Sequence, residues 1–410
     1  VDRAVIVGAG AAGTAAAGTL REEGFDGTVT VIGAESWAPY ARPAVSKQLL
    51  TGEFTPDQAR LRPPEWYGER GIELLLGEAA TAIDPQHRTV RLAGGETLPY
   101  DTLLLATGGV PRPLTVAGVR HEVPALRSVD DALRLRDLAA AHGEVTIVGG
   151  GFIGLEAAAR LVTAGVRVRV LEAREQPMQR VLGPELGSWF ADVHRAHGVE
   201  VRTGAHIVEM TGRAGEWWIL LADGSEVTTP VVLAGVGMAP ATELAERAGC
   251  AVADGVVVDE YCRTSVPGVF AAGDMAVHPD AFLGTTVRIE HWQHAQRHGA
   301  SAARNMLGLD RAHSELPWFW SEQYDVNLQM IGYPAPAAAT VDRGSTEARS
   351  FVRFSVVDGV LHGAVGVNRA RDIRDTRALM ARRVPIDPRL LRDEAIGLPA
   401  TVRAARNKHM

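Results

Sequence analysis

Cysteine is nearly missing from this chain. Cys250 and Cys262 are the only two in 410 residues, and they form no Cys-x-x-Cys arrangement. A disulfide framework and a thiolate metal cluster are thereby excluded, and a reducing compartment is the expected setting. Lysine is almost as scarce: Lys47 and Lys408 stand alone, every other basic residue being arginine, so an internal lysine at position 47 draws notice. The chain also lacks a convincing membrane or leader segment. Its apolar opening, Ala4–Leu20, has no basic flank before it and runs straight into Arg21, Glu22 and Glu23, which points to a cytoplasmic protein without a membrane span. An excess of positive charge is missing too: 42 basic against 49 acidic residues leave a net charge of −7, which disfavours nucleic acid as a partner.

What is present is the composition of a folded chain. Hydrophobic residues make up 46% and charged residues 22%, and at ~150 residues per domain the length corresponds to two or three domains. The apolar run Ala4–Val7 is followed by Gly8-Ala-Gly10-Ala-Ala-Gly13, an Ala-rich helical stretch to Glu23 and a strand at Val29–Ile32. The same grammar returns at Glu144–Val148, Gly149-Gly-Gly151-Phe152-Ile153-Gly154, a helix over Leu155–Ala164 and a strand at Val166–Leu171. Each series continues into a hairpin, then an apolar strand ending in glycine: Thr102–Ala106 before Thr107-Gly108, and Val231–Ala234 before Gly235-Val-Gly237. Pro111 and Pro113 suggest a linker. From Pro317 the texture becomes aromatic and alternating, with strands expected near Asn327–Ile331, Ser350–Val357 and Val360–Val367 and an Arg-rich helix at Arg371–Arg383. The expected fold is α/β, with two Rossmann-like dinucleotide-binding domains and a C-terminal α+β domain. The divisions fall at 1–112 with 243–316, 113–242, and 317–410.

A glycine-rich turn between strand and helix lets the backbone approach a pyrophosphate, whose charge then sits against free N–H groups at the helix N-terminus. Gly8, Gly10 and Gly13 fit, and Glu35 follows just past the second strand, where a carboxylate can accept from ribose hydroxyls. Gly149, Gly151 and Gly154 repeat the arrangement with Glu172 at the end of the next strand. A carboxylate there accepts from a 2′-hydroxyl and repels a 2′-phosphate, favouring NADH over NADPH, unless Arg167, Arg169 and Arg174 turn inward. Two dinucleotide sites suggest a relay in which a bound flavin accepts hydride from a diffusible nicotinamide. Gly273-Asp274, after the strand Val269-Phe-Ala-Ala, suits a carboxylate gripping a ribityl hydroxyl, although Asp274 taken alone could also be a helix N-cap.

Together the two glycine motifs, Ala106-Thr107-Gly108, Gly235-Val-Gly237 and Gly273-Asp274 resemble the glutathione-reductase-like flavoproteins with two dinucleotide domains. Four further segments resemble the oxygenase- and P450-coupled NADH–ferredoxin reductases within that superfamily. They are Pro39-Tyr40-Ala-Arg42-Pro43-Ala-Val-Ser46-Lys47, Gly151-Phe152-Ile153-Gly154-Leu-Glu156, Glu290-His-Trp292, and Pro317-Trp-Phe-Trp320-Ser-Glu-Gln323-Tyr. That subgroup includes putidaredoxin and rubredoxin reductases and the apoptosis-inducing-factor flavoproteins. The resemblance implies FAD in the first nucleotide domain, NADH in the second with Glu290 beside it, and a C-terminal domain covering the flavin. It implies that Arg42 neutralises the FAD pyrophosphate, that Lys47 stands beside the flavin and pairs with Glu156, and that Trp292 lies by the flavin and nicotinamide. Hydride would pass from NADH to FAD, and single electrons would leave to a [2Fe-2S] ferredoxin supplying a P450 or Rieske oxygenase. Without a cysteine pair near Arg42–Lys47, disulfide substrates are not expected. Two alternatives stay open: a rubredoxin reductase or NADH oxidase, and a redox-regulated binding flavoprotein of the apoptosis-inducing-factor type.

His291, His294 and His298 recur at helical spacing, but no carboxylate or thiolate nearby in the sequence completes a ligand set, and no metal is expected there. Arg297, Arg304 and Arg311, with the arginines of Arg371–Arg383, could form a basic patch that steers an acidic ferredoxin, or a solvated face interleaved with Asp372 and Asp375.

Overall fold

The computed structural model describes residues 1–213, 215–334, 339–383 and 385–400. Lys408 lies outside the described residues. The chain divides into two compact units, one of Val1–Arg112, Arg127–Ala132 and Met238–Glu315, the other of Pro113–Leu126, Leu133–Gly237 and Leu316–Met410.

The first unit is built on a five-stranded parallel sheet in the order Val269–Ala271, Thr102–Leu105, Arg3–Val7, Thr28–Gly33, Ile72–Leu76. Its central strands are unbroken apolar runs because both faces are covered; Ile6, Leu103, Leu104 and Leu105 are fully buried. The chain leaves Arg3–Val7 on one side towards Thr28–Gly33 and later returns on the other side through Thr102–Leu105. The turn after Arg3–Val7 therefore sits where the strand order reverses, the place at which such sheets hold ligands. The helix Ala11–Glu22 packs on this sheet and against the helix Trp292–Met306. The two backbones approach so closely that a Cβ at Gly299 would lie 2.2 Å from the Ala12 carbonyl oxygen.

The second unit repeats the theme with a parallel sheet in the order Glu200–Arg202, Arg167–Leu171, Glu144–Val148, Val232–Ala234. The helix Phe152–Thr163 follows the Glu144–Val148 strand. The same unit contains a five-stranded antiparallel sheet, ordered Trp318–Gln323, Val326–Gly332, Val360–Val367, Ser350–Val357, Ala339–Ser345. The helix Ala370–Met380 lies on it through Ile373, Leu379 and Met380. A buried guanidinium, Arg343, ties the terminal segment to this sheet by donating to the carbonyls of Leu391, Asp393 and Ile396. A long helix, Gln179–Ala196, bends at Gly183-Pro184, where proline cannot continue the hydrogen-bond ladder.

The chain passes from one unit to the other between Arg112 and Pro113, at the expected linker, and Pro111 ends a short strand, Gly109–Pro111, paired antiparallel with Met238–Pro240. Proline is tolerated there because a two-strand ribbon leaves its missing N–H on an edge. The alternative reading of Asp274 as a helix N-cap does not hold, since it lies in a turn before the strand Ala276–Asp280. The Arg-rich helix spans Ala370–Met380, starting one residue earlier than expected and ending three earlier. Among the described residues no helix is long and apolar enough to cross a membrane.

The glycine turn of the first unit sets a stringent test. A Cβ on Gly13 would stand 1.9 Å from the Gly8 carbonyl oxygen. Gly13→Ala is therefore expected to lower stability by about 1–3 kcal/mol, the cost of overpacking a closed site, read as a lowered denaturant midpoint with an unchanged slope.

Candidate functional site

Both glycine turns obey one geometry. Gly8 (φ +119°) and Gly149 (φ +108°) hold backbone conformations that favour glycine. Each backs onto the end of the neighbouring strand, so that an added Cβ would meet the Ala106 oxygen at 2.1 Å or the Gly235 oxygen at 2.3 Å. Gly13 and Gly154 press their helices onto the turn, with the Gly8 and Gly149 oxygens 1.9 and 2.4 Å from where a Cβ would be. The middle glycines are different. Gly10 and Gly151 have nothing within 4 Å of that position, and each is the N-cap of its helix with no side-chain hydrogen bond. Two helix N-termini thus present backbone N–H groups to open space, which is the electrostatic and steric condition for an anionic pyrophosphate.

In the first unit a polar chain runs beside the turn. Glu35 accepts from the Tyr40 hydroxyl at 2.6 Å and from Arg42 Nη2 at 2.9 Å, and Arg42 Nη1 donates to the Tyr40 oxygen at 2.6 Å and to the Arg127 carbonyl at 2.9 Å. The sequence gives Glu35 to a ribose and Arg42 to a pyrophosphate; the structure joins the two residues directly. Their pair is partly exposed and contributes about 0–1 kcal/mol, so a stronger anion can compete for the guanidinium. Arg127, unnoticed in the sequence, points its guanidinium at Asp274, with Nη2 4.0 Å from Oδ2. Burial raises the Asp274 carboxyl above its ordinary value and Arg127 opposes that shift. A sequence signal existed: Ser128-x-x-Asp131 forms a reciprocal cap, with the Ser128 N–H donating to Asp131 Oδ2 at 2.7 Å and the Asp131 N–H to Ser128 Oγ at 3.1 Å. That motif marks a helix start, but not the direction of the arginine before it.

Thr107 donates its hydroxyl to the Ala241 carbonyl at 2.9 Å, and Gly108 adopts φ +69°. The Gly273 N–H donates to His298 Nδ1 at 3.2 Å. Lys47 and Ser46 are buried in this unit, Lys47 at 5% exposure, and Trp292 opens the Trp292–Met306 helix half-buried. Glu290 accepts from Arg288, which also donates to the Asp274 carbonyl at 3.2 Å. The two cysteines are free and buried, and burial pushes both thiols up, so neither is a ready thiolate.

In the second unit Glu172 stands under its glycine turn. Its Oε2 accepts from the Gly150 N–H at 2.6 Å and its Oε1 from the Arg174 N–H at 2.8 Å. Arg167 pairs with Glu144 at 2.8 Å, and Arg169 with Glu200 at 2.7 Å. Both guanidinium groups are thus engaged by carboxylates of their own sheet. Gly235 and Gly237 follow the Val232–Ala234 strand, Phe152 packs on Phe319 with ring centroids 4.6 Å apart, and Ile153 is exposed.

Glu156 is buried and heads a hydrogen-bond chain that no spacing in the sequence announces. The Ser321 hydroxyl donates to Glu156 Oε1 at 2.7 Å, the Gln323 amide to Ser321 Oγ at 3.1 Å, His194 Nε2–H to Gln323 Oε1 at 2.8 Å, and the Tyr324 hydroxyl to His194 Nδ1 at 3.0 Å. Every donor meets one acceptor in a single sense, which fixes the His194 tautomer. The Trp318–Gln323 strand and the Gln179–Ala196 helix bring these residues together from positions over a hundred apart.

The arginines weighed as a docking patch divide. Arg297 is neutralised by Glu315 at 2.7 Å, and Arg304 and Arg311 lie 2.7 and 3.8 Å from Glu23. Two glutamates thus offset two of these three positive charges, and Arg311 keeps most of its side chain exposed. Arg371, Arg374, Arg382 and Arg383 are exposed on the other unit, Arg371 with Asp375 3.9 Å away.

Burial holds His194 down to about 4, against an ordinary value near 6.5. The unfolded chain therefore takes up the proton first as pH falls, and stability is lost between pH 6.5 and 4. The expected contribution of this residue is on the order of 3 kcal/mol, and the pH dependence of the thermal midpoint should flatten over that window in His194→Gln.

Comparison with known proteins agrees with this geometry. Residues 2–299 match the pyridine nucleotide-disulphide oxidoreductase family and residues 318–402 the reductase C-terminal family. The ferredoxin–NAD(+) reductase component of the anthranilate 1,2-dioxygenase system of Burkholderia cepacia is 40% identical, covering 97% of this chain and 98% of its own. Putidaredoxin reductase of Pseudomonas putida is 34% identical, covering 99% and 98%. Among solved structures, the covalent putidaredoxin reductase–putidaredoxin complex superimposes with a TM-score of 0.92 at 33% identity, covering 99% of both chains. The ferredoxin reductase for the CYP199A2 system from Rhodopseudomonas palustris gives 0.93 at 33% identity, covering 99% and 100%. With two uncapped glycine turns, each followed by an acid, this chain belongs to the pyridine nucleotide-disulphide oxidoreductase family, carries its reductase C-terminal domain, and is an oxidoreductase that uses a flavin and a pyridine nucleotide.

Proposed function

We propose that this chain is an FAD-containing, NADH-dependent ferredoxin reductase that delivers single electrons to a [2Fe-2S] ferredoxin of an oxygenase or cytochrome P450 system. The observation that carries the reading is the pairing of two open glycine cradles with two buried, unreactive cysteines. A dithiol relay of the kind the family name suggests has no residues to run on, so the reducing equivalents go to an external carrier. Relatives named as ferredoxin–NAD(+) reductase components of dioxygenase systems support the choice of carrier.

The first unit fits FAD. Gly8, Gly10 and Gly13 leave room for its pyrophosphate, with Arg42 as counter-charge, Glu35 towards a ribose, Asp274 towards the ribityl chain, and Ala106, Thr107, Gly108, Gly273 and Trp292 around it. When bound, the flavin supplies the conversion of a two-electron hydride into single electrons. Lys47 brings the one internal ammonium of the chain to a buried position, where positive charge counts most in stabilising negative charge that develops during reduction. In the second unit, Gly149, Gly151 and Gly154 receive the nicotinamide dinucleotide, with Phe152, Ile153, Gly235 and Gly237 lining its approach and Glu290 assigned to the same nucleotide. The Ser321 hydrogen bond keeps the Glu156 carboxyl group oriented. Glu172 favours NADH, since its carboxylate repels a 2′-phosphate while Arg167 and Arg169 are already paired. Residues 1–112 with 243–316 form the FAD domain, 113–242 the NAD domain, and 317–410 a C-terminal domain whose exposed arginines at Arg371–Arg383 receive an acidic ferredoxin.

Anaerobic stopped flow tests the reading. NADH should bleach the bound flavin rapidly, and added [2Fe-2S] ferredoxin should then be reduced; bleaching with no transfer to any iron–sulfur carrier would discard the reductase assignment. Lys47→Ala should slow flavin reduction by at least about tenfold while FAD stays bound, and an unchanged rate would remove Lys47 from the mechanism. Gly10→Ala, whose Cβ enters open space, should fold normally yet lose FAD on gel filtration, because the methyl group occupies the cradle.

A further inference from the structure

We propose that the first unit contains a buried binding site for a divalent first-row transition ion, with Zn²⁺ as its natural probe, ligated by His278, His294 and His313. It is a different set from the His291, His294 and His298 trio visible on one helix in the sequence. His278 comes from the Ala276–Asp280 strand, His294 and His298 from the Trp292–Met306 helix, and His313 from the loop that follows. Every pair among these four rings has centroids 4.6 to 5.5 Å apart. His294 and His298 are fully buried, His278 is 3% and His313 9% exposed, and the Nε2 atom of each has no hydrogen-bond partner. Four buried rings facing one another, each with its Nε2 atom unpartnered, are an arrangement that folded chains otherwise avoid.

The outer hydrogen bonds say which nitrogens are available. His278 Nδ1 lies 3.0 Å from the Pro279 carbonyl, which can only accept, so Nδ1 carries the proton and Nε2 keeps its lone pair. His313 Nδ1 lies 3.0 Å from Ser301 Oγ, which can accept in the same way. His294 Nδ1 is 3.4 Å from Glu315 Oε2, close enough to be oriented by that carboxylate although not aligned as a hydrogen bond. Carbonyl, hydroxyl and carboxylate behind three imidazoles are the outer contacts that fix ring orientation in metal sites. His298 is excluded as a ligand in this state: its Nδ1 accepts from the Gly273 N–H, so its Nε2 holds a proton and is suited to donating to a water or hydroxide in the fourth position.

One ring nitrogen from each of His278, His294 and His313 lies within 4.8 Å of the other two. Tetrahedral zinc with bonds of about 2.0–2.1 Å needs them about 3.3 Å apart, so the three rings would draw together on binding. The electrostatics suit a cation. Asp280 and Glu315, both buried, place two carboxylates at the cluster against the single guanidinium of Arg297. Burial holds all four imidazoles below their ordinary value, and repulsion from neighbouring imidazoles adds to this for His294, His298 and His313, which favours the neutral rings that a metal requires. The ion's role is structural: bound there it would brace the segment between Gly273 and the Trp292–Met306 helix.

The test uses the full-length, flavin-loaded protein, stripped with a chelator and titrated with Zn²⁺ by calorimetry, together with zinc-edge X-ray absorption of the wild type. One ion per chain is expected, with the scattering signature of three imidazoles. His278→Gln and His313→Gln should each weaken zinc by about 100-fold or more, whereas His298→Gln and the exposed control His87→Gln should retain it, with flavin absorbance and circular dichroism confirming the fold. Absence of stoichiometric binding, affinity unchanged in His278→Gln and His313→Gln, or an absorption spectrum without imidazole scattering would each overturn the site. If the variants do not fold, the wild-type stoichiometry and absorption spectrum decide alone.

Discussion

The constraint on which both units depend is the approach of backbone to backbone at the end of a parallel strand. In each, a carbonyl from the adjacent strand occupies the place where a side chain would begin on the first glycine, and the carbonyl of that glycine occupies the same place on the third. No residue other than glycine satisfies the two contacts at once. Once the helix is drawn onto the turn in this way, its first N–H groups have no acceptor within the helix and no side-chain cap, and the space over the middle glycine is open. The capacity for anion binding is therefore a by-product of packing: the geometry that brings helix and sheet together is the one that leaves the donors exposed. Duplicating it gives one chain two such cradles, in keeping with an oxidoreductase that uses a flavin and a pyridine nucleotide.

Polar groups around the cradles are organised by desolvation. In the second unit Glu156, Ser321, Gln323, His194 and Tyr324 are linked in one donor-to-acceptor sense, so each buried group meets its need locally. An apolar core at these positions would pack as well, but it would not hold a carboxylate oriented at low exposure. In the first unit the corresponding devices are guanidinium groups, Arg42 on Glu35 and Arg127 towards Asp274. Arginine suits this because it remains charged when buried and donates in several directions at once. The scarcity of lysine elsewhere makes the burial of Lys47 the more distinctive.

Several readings of the sequence were altered by partners that only folding supplies. Pro111 joins a two-stranded ribbon because Met238–Pro240 lies beside it. Arg297, Arg304 and Arg311 have the spacing of a basic series, yet Glu315 and Glu23, one of them nearly three hundred residues away, offset two of the three charges. The histidines of the Trp292–Met306 helix form no ligand set on their own helix; a strand histidine and a loop histidine complete the cluster.

By itself the sequence determined the repeated strand–glycine turn–helix units, the acids that follow them, the absence of a dithiol relay and the antiparallel texture of the last hundred residues. These are local properties: periodicity, glycine where φ is positive, and the presence or absence of a residue type all act within a few positions. The strand Glu144–Val148 and the pair Ser350–Val357 with Val360–Val367 were legible to the residue for that reason. Tertiary structure alone decided which charges meet. Arg127 with Asp274, Glu156 with Ser321, and three histidines from three elements are contacts between residues far apart in the chain. Their energies depend on burial and direction, and neither is encoded in spacing.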